Sequence, residues 1–535
     1  MSKEAKPEKT KSSKPKDLEE IIYPKVGLAI PEGWTTIERY PLESAFAYAN
    51  IIQDPSRMTQ MYYVDEVPLT EDEAIVYTRL VHALENELTV PRKSIEPKQY
   101  FEEQANRIAL KYSWKIAKLA WSKILYFADR DIVGFGALDG LMKDRGIEDI
   151  AIDGTARPVF IYHSKHERLP TNLQFDKREE LNNLISRFAH LSGKHVSVAY
   201  PVVQGSLPGG HRMLGTYMTE VSPHGSTLSI RKFKEDPITI IDMLNFGVLD
   251  YKMAAYAWLV AQNRRASIVV GSTGAGKTTL LNSLLTLTRT NTKIITIEEV
   301  PEINLAHPNW TALVSREKYG ATAEGPDEIG LFDLVKASMR MRPDVIVVGE
   351  VRGEEAYVLF QAISTGHGGL CTLHADDVSS AIQRLVSKPM DVPPAFIPFL
   401  DVVYTTRRVS IELPDGSFRT GRRVVAVDEI SEVGKYTRMF EWNPTKDVFD
   451  ASPIKDSKKL TKLARDLRLS LNEIEEEIEG RALVLKWMQK KGIRNFREIT
   501  SMLDAYVVSP NDVYTRAASE LGSRALESTS QIVST

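Results

Sequence analysis

The chain has 535 residues, which at roughly 150 residues per domain is enough for three or four domains. Its composition, 43% hydrophobic and 26% charged, is that of an ordinary globular protein and excludes a collagen-like or low-complexity chain. A net charge of −3 excludes a general electrostatic attraction to nucleic acid, and a single cysteine, Cys371, excludes an intramolecular disulfide and a cysteine-rich metal site.

The sequence contains no apolar run of the roughly 20 residues that span a bilayer, and its first residues lack the apolar core of a signal peptide. A lone cysteine also suits a reducing compartment. We therefore expect a cytoplasmic protein.

Changes in the sequence pattern divide the chain into six regions. Residues 1–17 contain six lysines and almost nothing to bury, which predicts a disordered basic tail. The other predicted regions are a helical adaptor (18–135), an α+β domain (136–233), a hinge linker (234–237), an α/β domain with added β-structure (238–450) and C-terminal helices (451–535).

Local signals predict particular elements in these regions. Thr70 with Glu73 three residues later, followed by apolar residues at helical spacing, predicts the capped start of a helix. Continuous apolar runs at 267–270, 294–297 and 345–348 predict strands buried on both faces, as in a mostly parallel sheet. Residues 402–425 predict antiparallel strands with a turn at Pro414-Asp-Gly416.

The first of these apolar runs leads directly into a phosphate-binding loop of the form G-x-x-x-x-G-K-T, and a helical pattern follows the loop. Glycines in such a loop let backbone N–H groups face a phosphate, and the helix N-terminus adds positive potential. We expect Lys277 to pair with the β- and γ-phosphates and Thr278 to ligate Mg²⁺. The predicted nucleotide-binding residues of the loop are Gly271, Ser272, Thr273, Gly274, Ala275, Gly276, Lys277, Thr278 and Thr279.

Acidic and histidine residues end the later strands, where an open α/β sheet binds its ligand. Glu298 and Glu299 follow the second apolar run, and Glu350 follows the third. His367 and His374 flank a further strand-like segment, and their spacing does not fit a helical metal pair.

These four elements, in this order, resemble the Walker A, Asp box, Walker B and His box of the ATPases of the type II/type IV secretion superfamily. The segments 147–154, 207–212 and 229–233 resemble the N-terminal domain of the archaeal branch, which includes archaellum and type IV pilus assembly motors. The resemblance implies a RecA-like P-loop ATPase domain preceded by an α+β N-terminal domain with a helical extension. It also implies ATP and Mg²⁺ as cofactors.

The family resemblance suggests roles for the site residues. Glu350 is expected to organise Mg²⁺ and water, and either Glu298 or Glu299 to polarise the attacking water, with Glu298 as the first choice. Glu299 stands where the family usually has Asp, which leaves this choice open. His367 and His374 are expected to sense the γ-phosphate or relay its loss.

Arginines supplied by a neighbouring subunit commonly match the charge that develops on the γ-phosphate. By resemblance the candidates are Arg316, Arg340 and Arg231, and Arg231 is expected to reach the nucleotide from the N-terminal domain. We therefore expect a homo-hexamer in which nucleotide binding moves the N-terminal domain about the hinge linker.

The function that the resemblance implies is an ATP-hydrolysing motor for assembly or secretion of a pilus, archaellum or pseudopilus. Its expected partner is a polytopic membrane platform protein, at the cytoplasmic face of the membrane and without direct nucleic acid contact. Two alternatives are a RecA-like nucleic-acid translocase and a nucleotide-gated scaffold with little turnover. The net negative charge and the absence of a basic-aromatic stripe with RNA-binding spacing disfavour a nucleic-acid translocase. The presence of all the expected catalytic acids disfavours a scaffold with little turnover.

Overall fold

A computed structural model describes residues 33–42, 45–87, 96–233, 237–316, 329–412, 416 and 418–522. The chain forms two compact units, Met1–Phe233 and Lys234–Thr535. The predicted basic tail and residues 234–236 of the predicted hinge linker lie outside the described residues.

The first unit consists of a nine-stranded sheet, a 14-residue helix (α5, Arg178–Leu191) that packs against it and a group of three helices (α1 to α3, between residues 71 and 132). Its elements are β1 (Thr35–Pro41), β2 (Ala47–Gln53), β3 (Gln60–Glu66), α1 (Glu71–Glu87), α2 (Pro97–Lys111), α3 (Lys118–Ile132), α4 (Asp139–Lys143), β4 (Ile147–Ile152), β5 (Pro158–His163), β6 (Glu167–Gln174), α5 (Arg178–Leu191), β7 (Val202–Ser206), β8 (Arg212–Thr216) and β9 (Thr227–Arg231). The strand order is β1-β2-β3-β6-β5-β4-β9-β8-β7.

Three strands precede the helices in the region for which the sequence predicts a helical adaptor. They extend the sheet of the first unit through β3 and β6, where the Asn172 side chain accepts from Val64 N at 2.8 Å and donates to Val64 O at 2.9 Å. The amide side chain thus replaces a backbone partner where the two strands meet. Helix α1 begins as predicted, since Thr70 and Glu73 exchange hydrogen bonds.

The second unit is built on another nine-stranded sheet. Its elements are α6 (Ile240–Asn245), α7 (Tyr251–Gln262), β10 (Ser267–Val270), α8 (Lys277–Leu285), β11 (Ile294–Glu298), β12 (Trp310–Val314), α9 (Leu331–Ser338), β13 (Val345–Val348), α10 (Glu355–Ser364), β14 (Gly368–Leu373), α11 (Val378–Val386), β15 (Val402–Glu412), β16 (Phe418–Glu432), β17 (Lys435–Asn443), β18 (Val448–Ala451), α12 (Lys458–Leu467), α13 (Leu471–Lys490), α14 (Phe496–Val508) and α15 (Pro510–Leu521).

The six strands β12-β11-β13-β14-β10-β15 of this sheet are parallel, and β16, β17 and β18 continue it in antiparallel order. Strands β10, β11, β13 and β14 are buried along their whole length. Strands are buried in this way because helices cover both faces of a parallel sheet. The predicted fold class, an α/β P-loop domain preceded by an α+β domain, is confirmed.

The C-terminal helices belong to the core of the second unit. One hydrophobic cluster contains residues of α7, α8 and α12 to α14, and a second cluster on the other face contains residues of α9, α10 and α11. Buried Glu429 of β16 accepts from Tyr256 Oη of α7 at 2.8 Å and from Ser457 Oγ, which caps α12, at 2.6 Å. The C-terminal region is therefore tied to the sheet by polar as well as apolar contacts.

None of the described helices is long and apolar enough to cross a bilayer.

Candidate active site at the carboxyl edge of the parallel sheet

The predicted phosphate-binding loop lies between β10 and α8, in the order strand, loop, helix. A Cβ atom on Gly271 would lie 2.4 Å from the carbonyl oxygen of Thr406, so a larger residue does not fit where the loop leaves the strand. Gly276 caps α8 with φ of 88°, a conformation that side chains disfavour. The two glycines allow the sharp path by which the chain passes from β10 into α8.

Residues of β15 and β16 support this loop from the side. Thr406 Oγ1 donates to Ala275 O at 3.0 Å, and Arg422 Nε donates to Gly274 O at 3.0 Å. Two backbone carbonyls of the loop are thus bound by side chains of the neighbouring strands. Ser272 and Thr273 are exposed, and Thr278 and Thr279 lie half-buried in the first turn of α8.

Lys277 is 9% exposed, and its ammonium group lies among polar partners. Nζ donates to Ser272 O at 3.2 Å and lies 3.3 Å from Nε2 of His374. Burial lowers the pKa of Lys277, and the charge of Glu350 acts in the opposite direction. The structure thus brings two of the predicted site residues, Lys277 and His374, into contact.

His374 lies between Lys277 and Glu350. Its Nε2 atom is 2.9 Å from Oε1 of Glu350. Burial, followed by the positive charge of Lys277, lowers the pKa of His374 and so favours the neutral ring. Nδ1 of the same ring lies 3.4 Å from Lys277 Nζ, so the imidazole contacts the ammonium group as well as the carboxylate.

Arg352 connects Glu350 with Glu299. Its Nη2 atom donates to Glu350 Oε2 at 2.6 Å, and its Nη1 atom lies 3.6 Å from Glu299 Oε2. The backbone N–H groups of Arg352 and Gly353 donate to Glu355 Oε1 at 2.6 and 2.7 Å, which fixes the turn after β13. A continuous series of polar contacts therefore runs from Lys277 through His374, Glu350 and Arg352 to Glu299.

Glu298 is buried, and its carboxylate binds backbone rather than facing these groups. Oε1 accepts from the N–H groups of Glu302 and Ile303 at 2.9 and 3.1 Å, which holds the loop after β11. Burial raises the pKa of Glu298 to about 7, and the two backbone hydrogen bonds act in the opposite direction. Glu299, by contrast, is about half exposed at the strand end.

The structure does not bring His367 to this site. His367 precedes β14 and His374 follows it, so the two rings are separated by a six-residue strand of about 20 Å. The Nδ1 atom of His367 lies 3.2 Å from Thr365 Oγ1 and 3.1 Å from Ala362 O, at the end of α10. These local contacts suit a residue that closes the turn between α10 and β14.

The three candidate arginines belong to three different parts of the chain. Arg316 follows β12, the outer parallel strand, and its backbone pairs with Ile329. Arg340 is exposed in a short 3₁₀ turn (Met339–Met341) that precedes β13, at the amino edge of the sheet. Arg231 belongs to the first unit, where its Nε atom lies 3.3 Å from Asp149 Oδ1.

Sequence reasoning missed two arginines of this site. The first, Arg352, follows Glu350 by two residues, a spacing that places two side chains on one side where the backbone is extended. Arg422 contacts the phosphate-binding loop from a strand about 150 residues later in the chain, and no local pattern marks it. Among the described residues, no group of three or more His, Cys, Asp or Glu side chains forms a metal site.

Comparisons with known proteins find a family model and several relatives that match this chain. Residues 142–395 match the family model described as type II/IV secretion system protein. The uncharacterized protein MJ0900 of Methanocaldococcus jannaschii is 36% identical over 409 residues, which are 73% of this chain and 71% of that protein. A putative conjugal transfer protein of Mycobacterium tuberculosis is 32% identical over 48% of this chain and 73% of its own length.

Solved structures are more distant. The ATPase DotB of Legionella pneumophila is 17% identical with a TM-score of 0.39, over 68% of this chain and 93% of DotB. The pilus retraction motor PilT with bound ADP is 16% identical with a TM-score of 0.38, over 70% of this chain and 93% of PilT. On the evidence of the relatives and the family model, the chain belongs to the type II/IV secretion system protein family.

Proposed function

We propose that this protein is an ATPase that acts as a hexameric motor and powers assembly or secretion of a type IV pilus-like filament through a membrane platform protein. The observation that carries the proposal is the series of contacts from Lys277 to Glu299, at the edge of the sheet where the phosphate-binding loop opens. Family membership supports the motor role, and the work is expected at the cytoplasmic face of the membrane.

The loop residues fit a bound triphosphate. The backbone N–H groups at the start of α8 supply positive potential. Gly271 and Gly276 permit the path of the loop, where a Cβ atom would meet Thr406 O or the Arg422 side chain. Lys277 already lies at the loop with its ammonium group directed at Ser272 O, a contact that phosphate oxygens would replace.

Mg²⁺ fits the same edge. Hydroxyl and carboxylate oxygens are ligands that Mg²⁺ prefers, and Thr278 and Glu350 offer them from α8 and from the end of β13. Glu350 Oε1 is buried and accepts no hydrogen bond from the described residues, although His374 lies beside it. When bound, the metal would neutralise charge on the phosphates.

The structure favours Glu299 over Glu298 as the residue that polarises the attacking water. Glu298 is already used by the backbone of its own loop and gains a proton readily at neutral pH, since its pKa is about 7. Glu299 lies on the exposed side of the strand end, and Arg352 draws its carboxylate toward Glu350. We therefore reverse the first choice made from the sequence.

His374 is suited to report whether a γ-phosphate is present. It contacts Lys277 and Glu350, the two groups whose positions a γ-phosphate would change most. His367 lies at the opposite edge of the sheet, so in this proposal it has no part in the same chain's site.

The arginines that complete the site are proposed to come from a neighbouring subunit and from the first unit. Arg316, Arg340 and Arg231 remain the candidates, because Arg352 is already engaged with Glu350 and Glu299. A site completed in this way functions only in the assembled ring.

The test is the ATPase rate per subunit as the purified protein is diluted, with Lys277→Ala and Arg316→Ala measured beside the wild type. We expect the rate per subunit to fall on dilution, both variants to be inactive and Arg316→Ala to retain ATP binding. Arg465→Ala, which removes an exposed arginine of α12, is the matched control and is expected to be fully active. A rate that is independent of concentration and of Arg316 would show a self-contained site and refute the ring.

A further inference from the structure

A basic and apolar surface lies at the junction of α2 and α3 in the first unit. We name residues 107–123 the α2–α3 surface. This segment contains five basic residues and no acidic one, although the whole chain is slightly acidic. Such a local excess of positive charge attracts anionic partners.

Large apolar side chains protrude from the same segment. Leu110 at the end of α2 is 80% exposed, Leu119 at the start of α3 is 73% exposed, and Tyr112 between them is 50% exposed. Single exposed apolar residues are ordinary, but three within ten residues at one turn form a patch. Patches of this kind mark contact sites.

Aromatic rings hold the turn in shape. Tyr112 stacks on Trp114 with ring centroids 5.9 Å apart, and Trp114 meets Trp121 edge-on at 6.4 Å. The indole N–H of Trp121 donates to Asn106 Oδ1 at 2.9 Å, which fixes α3 against α2. The protruding leucines are therefore presented by a packed base.

Two lysines of the α2–α3 surface pair with acidic residues outside it. Lys111 pairs with Glu87 at 2.8 Å, and Lys123 pairs with Glu73 at 2.6 Å. Lys115 and Lys118, which lie between the two exposed leucines, are exposed and have no acidic partner within the described parts of the chain. Positive charge is thus concentrated where the apolar residues protrude.

We propose that the α2–α3 surface binds an anionic lipid bilayer directly. Leu110 and Leu119 would enter the acyl boundary, Tyr112 would lie at the interface with its polar tip outward, and Lys115 and Lys118 would reach lipid phosphates. The membrane contact is then made by this chain itself as well as through a partner protein.

The chemistry of the patch distinguishes a bilayer from other acidic partners. Nucleic acids without base-specific contacts bind to exposed aromatic faces. Here the rings of Tyr112, Trp114 and Trp121 pack on one another, and the two most exposed apolar side chains, Leu110 and Leu119, are aliphatic. An acidic helix would occupy a groove along a helix stripe. The groove at this turn is lined by Leu110 and Lys115 but not by Leu119, so the two leucines do not form one stripe along it.

The inference does not depend on the proposed ATPase chemistry, because none of these residues lies at the phosphate-binding loop. Basal ATPase activity measured without lipid therefore serves as the readout that separates failure of one proposal from failure of the other. It is expected to be equal in the wild type and in every variant of the α2–α3 surface.

The experiment is co-sedimentation of the full chain with vesicles of phosphatidylcholine, with and without one part in four of phosphatidylglycerol. We expect binding to the anionic vesicles alone, weakened by salt. We expect the double variant Lys115→Gln with Lys118→Gln to reduce binding by at least about tenfold, since each lysine contributes roughly fivefold. We expect a reduction of the same size in the double variant Leu110→Ser with Leu119→Ser, because it removes the apolar side chains that enter the bilayer.

Matched controls carry the same chemical changes elsewhere. Lys458→Gln with Lys462→Gln removes two exposed lysines of α12, and Val508→Ser replaces a valine that is 79% exposed on α14. Both are expected to bind vesicles as the wild type does, and melting curves verify that all variants are folded.

Three results would overturn the proposal. The first is that the wild type does not bind anionic vesicles. The second is that a variant of the α2–α3 surface binds as well as its matched control, which would place the lipid contact elsewhere, for example in the basic tail. The third is binding of an acidic helical peptide or of single-stranded DNA at this surface when vesicles are not bound.

Discussion

At the scale of single residues, two adjacent glutamates of this site have opposite environments. The Glu298 carboxylate is buried and accepts two backbone N–H groups, whereas Glu299 faces the polar contacts around Glu350. Glu298 is the last residue of β11 and Glu299 is the first residue after it, so a single substitution at each position separates their roles.

Glu299→Gln is expected to lower kcat by on the order of 100-fold or more, the usual contribution of an acid-base group, and to leave ATP binding intact. Glu298→Gln is expected to retain turnover, because the amide oxygen of glutamine still accepts from the same loop. Steady-state ATPase rates and equilibrium nucleotide binding check both variants. An inactive Glu298→Gln protein beside an active Glu299→Gln protein would reverse the assignment.

The same buried carboxyl group predicts a pH-dependent stability. Since burial raises the pKa of Glu298 from 4.5 to about 7, the folded chain keeps a proton between these values that the unfolded chain releases. The contribution of Glu298 to stability is therefore complete below about pH 4.5 and is lost as the pH rises through about 7.

Glu298→Gln removes this dependence because glutamine does not ionise. We expect the melting temperature of the variant, relative to the wild type, to rise between about pH 5 and about pH 8, by an amount equivalent to roughly 3 kcal/mol at most. Thermal unfolding at the two pH values measures the difference. A constant difference would show that the carboxyl group titrates normally in the folded chain.

At the scale of elements, the parts of the site that local sequence determines were predictable. The buried strands β10, β11 and β13 follow from continuous apolar runs, and the loop before Lys277 follows from its glycine spacing. Parallel pairing then brings Glu350 and His374 to the same edge. These inferences need only periodicity, turn chemistry and the geometry of an α/β sheet.

The remainder depends on tertiary packing that the sequence does not reveal. Strands β1 to β3 join the sheet of the first unit through the side chain of Asn172, which has no local signal. His367 and His374 look equivalent in sequence, yet the length of β14 separates them. The adjacency of Glu298 and Glu299 likewise gives no indication of which carboxylate turns into the protein.

The packing of α13 against α7 is a further example, and it depends on one buried cation. Arg481 is 3% exposed and lies 4.5 Å from the ring centroid of Trp258 and 5.5 Å from that of Tyr506. It donates to Glu477 Oε1 at 2.7 Å and to Gln262 Oε1 at 2.7 Å. Such a residue stabilises the interface only while every donor is satisfied.

Arg481→Ala is expected to destabilise the second unit by about 3 kcal/mol, because Glu477 loses its partner in a poorly solvated site. Thermal unfolding is expected to show a drop of several degrees in melting temperature. Arg497→Ala, which removes an exposed arginine 5.6 Å from the ring of Phe496, is the matched control and is expected to have little effect. Equal shifts in melting temperature for the two variants would show that the burial of Arg481 does not add to stability.

At the scale of the whole molecule, the residues proposed for one reaction lie in two units. The phosphate-binding loop and all the acids belong to Lys234–Thr535, whereas Arg231 ends β9 in Met1–Phe233. Nucleotide binding and nucleotide hydrolysis are thus expected to have different requirements for the first unit.

A fragment that begins at Lys234 contains the entire loop and Lys277, so we expect it to bind ATP as the full chain does. We expect it to hydrolyse ATP on the order of 1,000-fold more slowly, which is the contribution typical of an arginine that contacts the transferred phosphate. Arg231→Ala in the full chain is expected to show the same loss with the same retention of binding. Arg212→Ala, on the neighbouring strand β8 and paired in register with Arg231, is the matched control and is expected to stay active. A fragment that hydrolyses ATP at the rate of the full chain would exclude Arg231 from the reaction and assign the first unit to partner binding alone.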